Sequence, residues 1–171
     1  MTPALAHSVM LAISCLVSYE VITRILGVGR LVSRDDHLLG GMWAVVATVY
    51  VYHDSYERSL RAALSRMAAT SLSFVLCLAY LLLFPFQAWG MAVLIGIGAI
   101  IVTLMGQPEA SVTTGITTAV IMVVAAMGPR EDAWHQPLLR MVDTAIGVAV
   151  GIACARIAGF LHRQIWQKKI E

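Results

Sequence analysis

Six apolar segments fill most of this chain and limit what it can fold into. They run over residues 3–26, 38–52, 62–84, 88–105, 111–127 and 138–161. A helix needs about 20 residues, rising 1.5 Å each, to cross a membrane. The first, third and sixth segments meet that length, the fourth is marginal, and the second and fifth are short. Strands of a membrane barrel would alternate in polarity over about 10 residues, and these runs do not alternate. Proline and glycine mark the breaks. Pro85 ends the third segment, Gly106-Gln107-Pro108-Glu109 forms a turn, Gly128-Pro129 closes the fifth, and His135-Gln136-Pro137 precedes the sixth. The expectation is an all-α bundle of six transmembrane helices, with short loops and antiparallel neighbours.

Composition agrees. Charged residues make up 13% of the chain, against about 25% in a soluble domain. The mean hydropathy is +0.80. Residues 1–171 read as a single integral membrane domain, with no room for a soluble catalytic domain. A net charge of +2 gives no reason to expect a nucleic-acid partner. Cys15, Cys77 and Cys154 all lie in apolar runs and read as packing residues, not as a disulfide framework. No Lys or Arg precedes the first run, so it reads as a retained helix and not as a signal peptide.

The chain also carries a weak copy of itself at an offset of 74 positions. Arg66-Met67-Ala68-Ala69-Thr70 matches Arg140-Met141-Val142-Asp143-Thr144. The same offset pairs Leu64 with Leu138, Gly41 with Gly115, Ser73 with Gly147, and Cys77 with Gly151. Each copy holds three apolar segments, about 1–85 and 86–165, before a short basic tail at 163–171. Units with an odd number of crossings sit upside down relative to each other. Such inverted repeats build transporters, with the pathway at the repeat interface. The short second and fifth segments hold matched positions, which is a further pointer to a binding site. Alternatively, their helices extend into polar flanks such as Asp36 or Ser55.

Arginine and lysine counts set the orientation. Arg58, Arg61, Arg66, Arg156, Arg163, Lys168 and Lys169 collect on one side. Arg24, Arg30, Arg34, Arg130 and Arg140 collect on the other. The bias is small. It places both termini and the second-to-third loop in the cytoplasm, in a bacterial inner membrane.

Several residues are candidates for function. Arg66 and Arg140 are read in the first turns of their helices, where free N–H groups and the helix dipole favour anions. A guanidinium there adds a forked donor suited to a carboxylate. Thr70 and Thr144 follow one turn later. The alternative is that both arginines snorkel to lipid phosphates. Asp143 stands where the first copy has Ala69, three residues after Arg140, and is placed to pair with it. Glu20 and Arg24 form a second spaced pair. Glu20, with apolar neighbours on both sides, is the leading candidate for a proton-coupled carboxylate. Thr114, Thr117 and Thr118 share one face of the fifth helix, which either contacts another helix or lines a hydrated path. Trp43, Tyr50 and Tyr52 could stack on an aromatic substrate or anchor at the interface, the role Tyr52 fits best. Gly147, Gly151, Ala155 and Gly159 form a small-residue stripe, read as helix packing inside the chain or as a dimer seam. No phosphate loop, paired-cysteine metal site, nucleophile elbow or His-x-x-x-His pair is present, so neither an enzyme nor a cofactor is expected.

Trp43-Ala44-Val45-Val46, Ser59-Leu60-Arg61, Arg66 with Thr70, and Leu139-Arg140-Met141-Val142-Asp143-Thr144-Ala145-Ile146-Gly147 resemble the fusaric acid resistance and aromatic acid exporter family. The resemblance covers about residues 40–155. It implies a six-helix unit for efflux of aromatic or other small organic acids. Plant aluminium-activated malate channels look like distant relatives, which implies an anion pathway and a homodimer. The chain departs from the family pattern at His53-Asp54-Ser55-Tyr56, where proline and glycine are usual. It departs again at Ala69 and Ser73, where glycine is preferred. Many family members also carry a large cytoplasmic domain. The expected partners are membrane lipids, an organic anion, a second copy, and a periplasmic adaptor or partner subunit. The rival readings are a passive anion channel and a non-transporting assembly or regulatory subunit.

Overall fold

The computed structural model describes residues 3–28, 34–53, 55–129 and 133–167. Arg30, Asp54, Arg130, Glu131, Asp132, Lys168 and Lys169, which entered the orientation and loop readings, lie outside the described residues. The six expected helices form: α1 (Pro3–Val28), α2 (Arg34–Val51), α3 (Tyr56–Leu83), α4 (Ala88–Leu104), α5 (Ala110–Met127) and α6 (His135–Gln167). There is no strand among the described residues. The helices α1, α3, α5 and α6 are long and apolar enough to cross a membrane.

Three boundaries differ from the sequence expectation. The helix α3 starts at Tyr56, not near residue 62. Ser55 caps it, its hydroxyl accepting from the Arg58 N–H at 3.3 Å and its carbonyl from the Ser59 N–H at 3.0 Å. The helix α2 runs back through Asp36 to Arg34, so the polar-flank alternative holds there. His135-Gln136-Pro137 opens α6 instead of preceding it. Proline is tolerated in a first turn, because N–H groups there have no acceptor within the helix. Both α2 and α5 have 18 residues, but α4 has 17, so shortness does not single out the matched pair. Between α4 and α5 the turn depends on Gly106, whose φ of 77° lies in the left-handed region.

The chain divides into two compact units, Met1–Leu64 with Asp143–Glu171, and Ser65–Val142. In the first, α1 and α2 form a hairpin in which the Tyr19 ring lies over Gly41. The helix α6 packs on α2 without room for side chains at the crossing. A Cβ on Gly147 would strike the Ala44 carbonyl oxygen, and one on Gly151 would lie 3.3 Å from the Thr48 carbonyl. The Thr48 hydroxyl lies 2.9 Å from the Ala44 carbonyl and 3.0 Å from that of Gly147, and its one proton is shared between them. Contacts advance in the same sense on both helices, so α2 and α6 run parallel. At one end of this unit the His7 and Tyr52 rings are 5.1 Å apart, and the Arg156 guanidinium lies 5.7 Å over the Tyr56 ring. The starts of α1 and α3 therefore share an end with Arg156 of α6.

In the second unit α4 and α5 form the hairpin, and α3 packs on α5. The Ser73 hydroxyl donates to the Thr114 carbonyl at 3.1 Å. The Thr118 hydroxyl donates to Ser73 Oγ at 3.1 Å, and Cys77 Sγ lies 3.9 Å from the Thr118 carbonyl. Here too the contacts advance together, so α3 and α5 run parallel.

In both units polar residues share the buried faces with apolar ones. Ser14, Ser18, Thr48, Ser73, Thr114 and Thr118 are buried, while Leu16, Leu64, Leu83, Ile100, Val112 and Phe160 face outward. Lipid tails are as apolar as leucine, so helices in a membrane associate through small residues and hydrogen bonds. Gly147→Ala should destabilise the protein by roughly 1–3 kcal/mol, since the added methyl overpacks the crossing. Gly159→Ala, with no atom within 4 Å of the new Cβ, should leave stability unchanged. Thermal melts in detergent compare the two, and equal melting would contradict the close packing.

Candidate functional site

The buried face of α3 carries Ser59, Ala63, Arg66, Ala69, Thr70, Ser73 and Cys77 at three- and four-residue spacing. On α6 the buried face carries Arg140, Asp143, Thr144, Gly147, Val148, Gly151 and Ala155. Arg66 is 3% exposed, and Arg140 and Asp143 are 0% exposed. They are the arginines and the carboxylate buried among the described residues. Placing one arginine at the centre of a membrane helix costs about 2.5–3.5 kcal/mol on insertion scales. Burying two of them is a large expense for mere lipid anchoring, which needs a long side chain reaching outward. The snorkelling alternative therefore fails for both.

The placement of these arginines also corrects the first-turn reading. Arg66 lies three turns into α3, because the helix begins at Tyr56. Arg140 lies in the second turn of α6, which begins at His135. Free N–H groups and the dipole fade beyond the first turn. Any anion at Arg66 is therefore held by the side chain itself.

The threonines divide into two groups. The Thr114 hydroxyl bonds back to the Ala110 carbonyl at 2.9 Å, and that of Thr117 to the Thr113 carbonyl at 2.8 Å. Thr118 bonds across to Ser73. The face of α5 that these residues share is thus a helix contact, with its hydroxyls bonded to protein. Thr70 and Thr144 are fully buried, and their hydroxyls make no hydrogen bond.

Glu20 is not deeply placed. Its carboxylate pairs with Arg24 at 3.3 Å on the outer face of α1, with side chains 50% and 82% exposed. The helical period explains this. Ser14 and Ser18 mark the buried face, and Glu20 lies about 200° round from Ser18 at 3.6 residues per turn. The buried carboxylate is Asp143 instead. Trp43 and Tyr52 are also buried, Tyr52 against His7, so neither is an exposed interfacial anchor. Gly147 and Gly151 pack inside the chain, which resolves the stripe at those positions, while Gly159 meets no neighbour. Sequence reasoning missed the roles of Ser73 and Thr48, whose hydroxyls bond across helices. Their position on the small-residue face was the available signal. An apolar recess lined by Leu81, Phe84, Pro85, Phe86, Ala125 and Ala126 has no charged lining group among the described residues. No cluster of possible metal ligands occurs among the described residues.

The family described as fusaric acid resistance protein-like matches residues 17–154. No curated protein and no solved structure matches the chain. Glu20→Gln should cost less than Asp143→Leu, because the Glu20 carboxylate sits half-exposed on the outer face of α1 beside Arg24. Asp143→Leu should cost roughly 3 kcal/mol or more, because it removes a fully buried carboxyl group three residues along the same helix from buried Arg140. Melts of the two variants in one detergent test this placement, and similar losses would contradict it.

Proposed function

This chain belongs to the fusaric acid resistance protein-like family, and on that premise we propose that it moves small organic anions, aromatic acids among them, outward across a bacterial inner membrane. Family membership and the apolar helices make it a multi-pass membrane protein of a transport family. The observation that carries the anion reading is the burial of Arg66 and Arg140 with Asp143 as the buried carboxylate. Among the described residues two guanidinium groups are buried and one carboxyl group. Attraction to a carboxylate is strong where water is scarce.

The pathway in this reading is built from two inverted repeats. The offset of 74 maps α2 onto α5 and α3 onto α6. It also maps Ser73 with Thr118 onto Gly147 with Ala44, and both pairs are helix contacts. In each case the third helix of one repeat packs on the second helix of the other. In a six-crossing chain α3 and α6 run in opposite directions, so Arg66 and Arg140 approach from opposite faces. Thr70 and Thr144 accompany them. Both termini lie in the cytoplasm, in keeping with the shared end formed by His7, Tyr52, Tyr56 and Arg156. The working form is a homodimer.

Proteoliposomes holding only this chain and loaded with radiolabelled benzoate test the proposal. Efflux should exceed that of protein-free vesicles. Arg66→Gln should lower it at least about tenfold, since a hydrogen bond to a charged group is worth about 1.5–3 kcal/mol. Background efflux from the wild type would favour a non-transporting subunit. Efflux unchanged by Arg66→Gln would remove the arginine from the pathway.

A further inference from the structure

The outward faces of the helices carry large apolar side chains such as Leu16, Leu64, Ile100 and Val112. Over three turns α6 carries alanines instead. Ala145, Ala149 and Ala153 follow at four-residue spacing, and all three are exposed. Arg156, next on the same face, is exposed as well. The alanines leave a flat track along the outside of α6 that ends at a guanidinium.

That guanidinium has a fixed seat. It lies 5.7 Å over the Tyr56 ring, as a cation does on the face of an aromatic ring. Tyr56 opens α3 and is itself exposed. A tyrosine at a helix end marks the level where hydrocarbon gives way to headgroups. Arg58 and Arg61 are exposed in the first two turns of the same helix. All these residues belong to the first compact unit. Among the described residues, none of the three arginines makes an ion pair. Glu57 is the carboxylate described in those turns.

The partner that fits is an anion with a long apolar chain. A guanidinium forks onto two oxygens of a phosphodiester. The rise from Ala145 to Arg156 is about 16 Å at 1.5 Å per residue. That is close to half of a hydrocarbon core about 30 Å thick. A phosphate at Arg156 therefore lets an acyl chain run along the alanines to the membrane centre. A second copy of the chain fits this face less well. A two-fold interface puts the same patch on both subunits, so the two Arg156 side chains would meet as like charges.

We propose that α6 and the start of α3 form a binding site for an anionic phospholipid. Arg156 holds the headgroup phosphate, and one acyl chain lies along Ala145, Ala149 and Ala153. Tyr56 orients the guanidinium, and Arg58 and Arg61 add attraction to an anionic leaflet. The site stands apart from the buried arginines and does not depend on what the protein carries.

Native mass spectrometry of the full chain in detergent tests this, with equal amounts of phosphatidylglycerol and phosphatidylcholine of the same acyl chains. Both lipids carry the phosphate, but choline cancels its charge. The wild type should retain one phosphatidylglycerol per chain in preference to phosphatidylcholine. Arg156→Gln changes an exposed side chain and should fold, yet bind phosphatidylglycerol about tenfold more weakly, the worth of a hydrogen bond to a charged group. Tyr56→Phe keeps the ring and should bind as the wild type does, whereas Tyr56→Leu should bind more weakly. Ala149→Trp should lose the lipid, because it fills the track. Inorganic phosphate at the lipid's concentration should not displace it. Equal retention of the two lipids would overturn the proposal, as would unchanged affinity in Arg156→Gln. Displacement by inorganic phosphate would make this a site for free anions and overturn the lipid. A wild-type dimer that Ala149→Trp makes monomeric would assign the face to a second copy and overturn it too. If Arg156→Gln does not fold, the wild type's choice between the two lipids decides.

Discussion

Everything in this fold follows from one constraint, that a polar group inside hydrocarbon must find its partner within the protein. The helices meet it in their backbones. The side chains meet it at the seams, where Ser73, Thr48 and Thr118 bond across to neighbouring helices. Each such bond contributes only about 0.6 kcal/mol on average in a membrane protein. Their use depends on close approach, which Gly147 and Gly151 allow by having no side chain. Small and polar residues therefore share the buried faces with apolar ones, and Arg66, Arg140 and Asp143 are held there.

The two parallel helix pairs express that constraint in different chemistry. Where α3 meets α5, a serine and a threonine bridge the helices. Where α6 meets α2, glycine stands in the serine's place, and the backbones come closer. Thr48 then reaches the carbonyl of that glycine. In the proposed repeat these are the same contact made twice, once by hydrogen-bonded side chains and once by backbone proximity. Both solutions leave the arginine-bearing turns of α3 and α6 on the buried side.

Much of this was legible in the sequence because it is periodic. Six apolar runs became six helices, and Gly147 and Gly151 became packing residues. Helix ends were less legible. Polar residues such as Arg58 and Arg61 hid the start of α3 at Tyr56, since helices do not stop where hydrophobicity does. That error placed Arg66 in a first turn. The misreading of Glu20 had another cause. Apolar neighbours in sequence do not give a helical residue's burial, and the period from Ser14 and Ser18 points Glu20 outward. The open hydroxyls of Thr70 and Thr144 could not be read at all, because a threonine's choice between its own helix and another partner depends on packing.

The account turns on whether a carboxylate occupies the buried face of α3. The most direct measurement is a diffraction map of the protein with 4-iodobenzoate, in which the iodine's anomalous signal locates the ligand. The proposed function predicts an iodine peak in the helix bundle, with the carboxylate within hydrogen-bond distance of the Arg66 guanidinium. A peak confined to the apolar recess at Phe84 and Phe86, or to the outer surface, would contradict it.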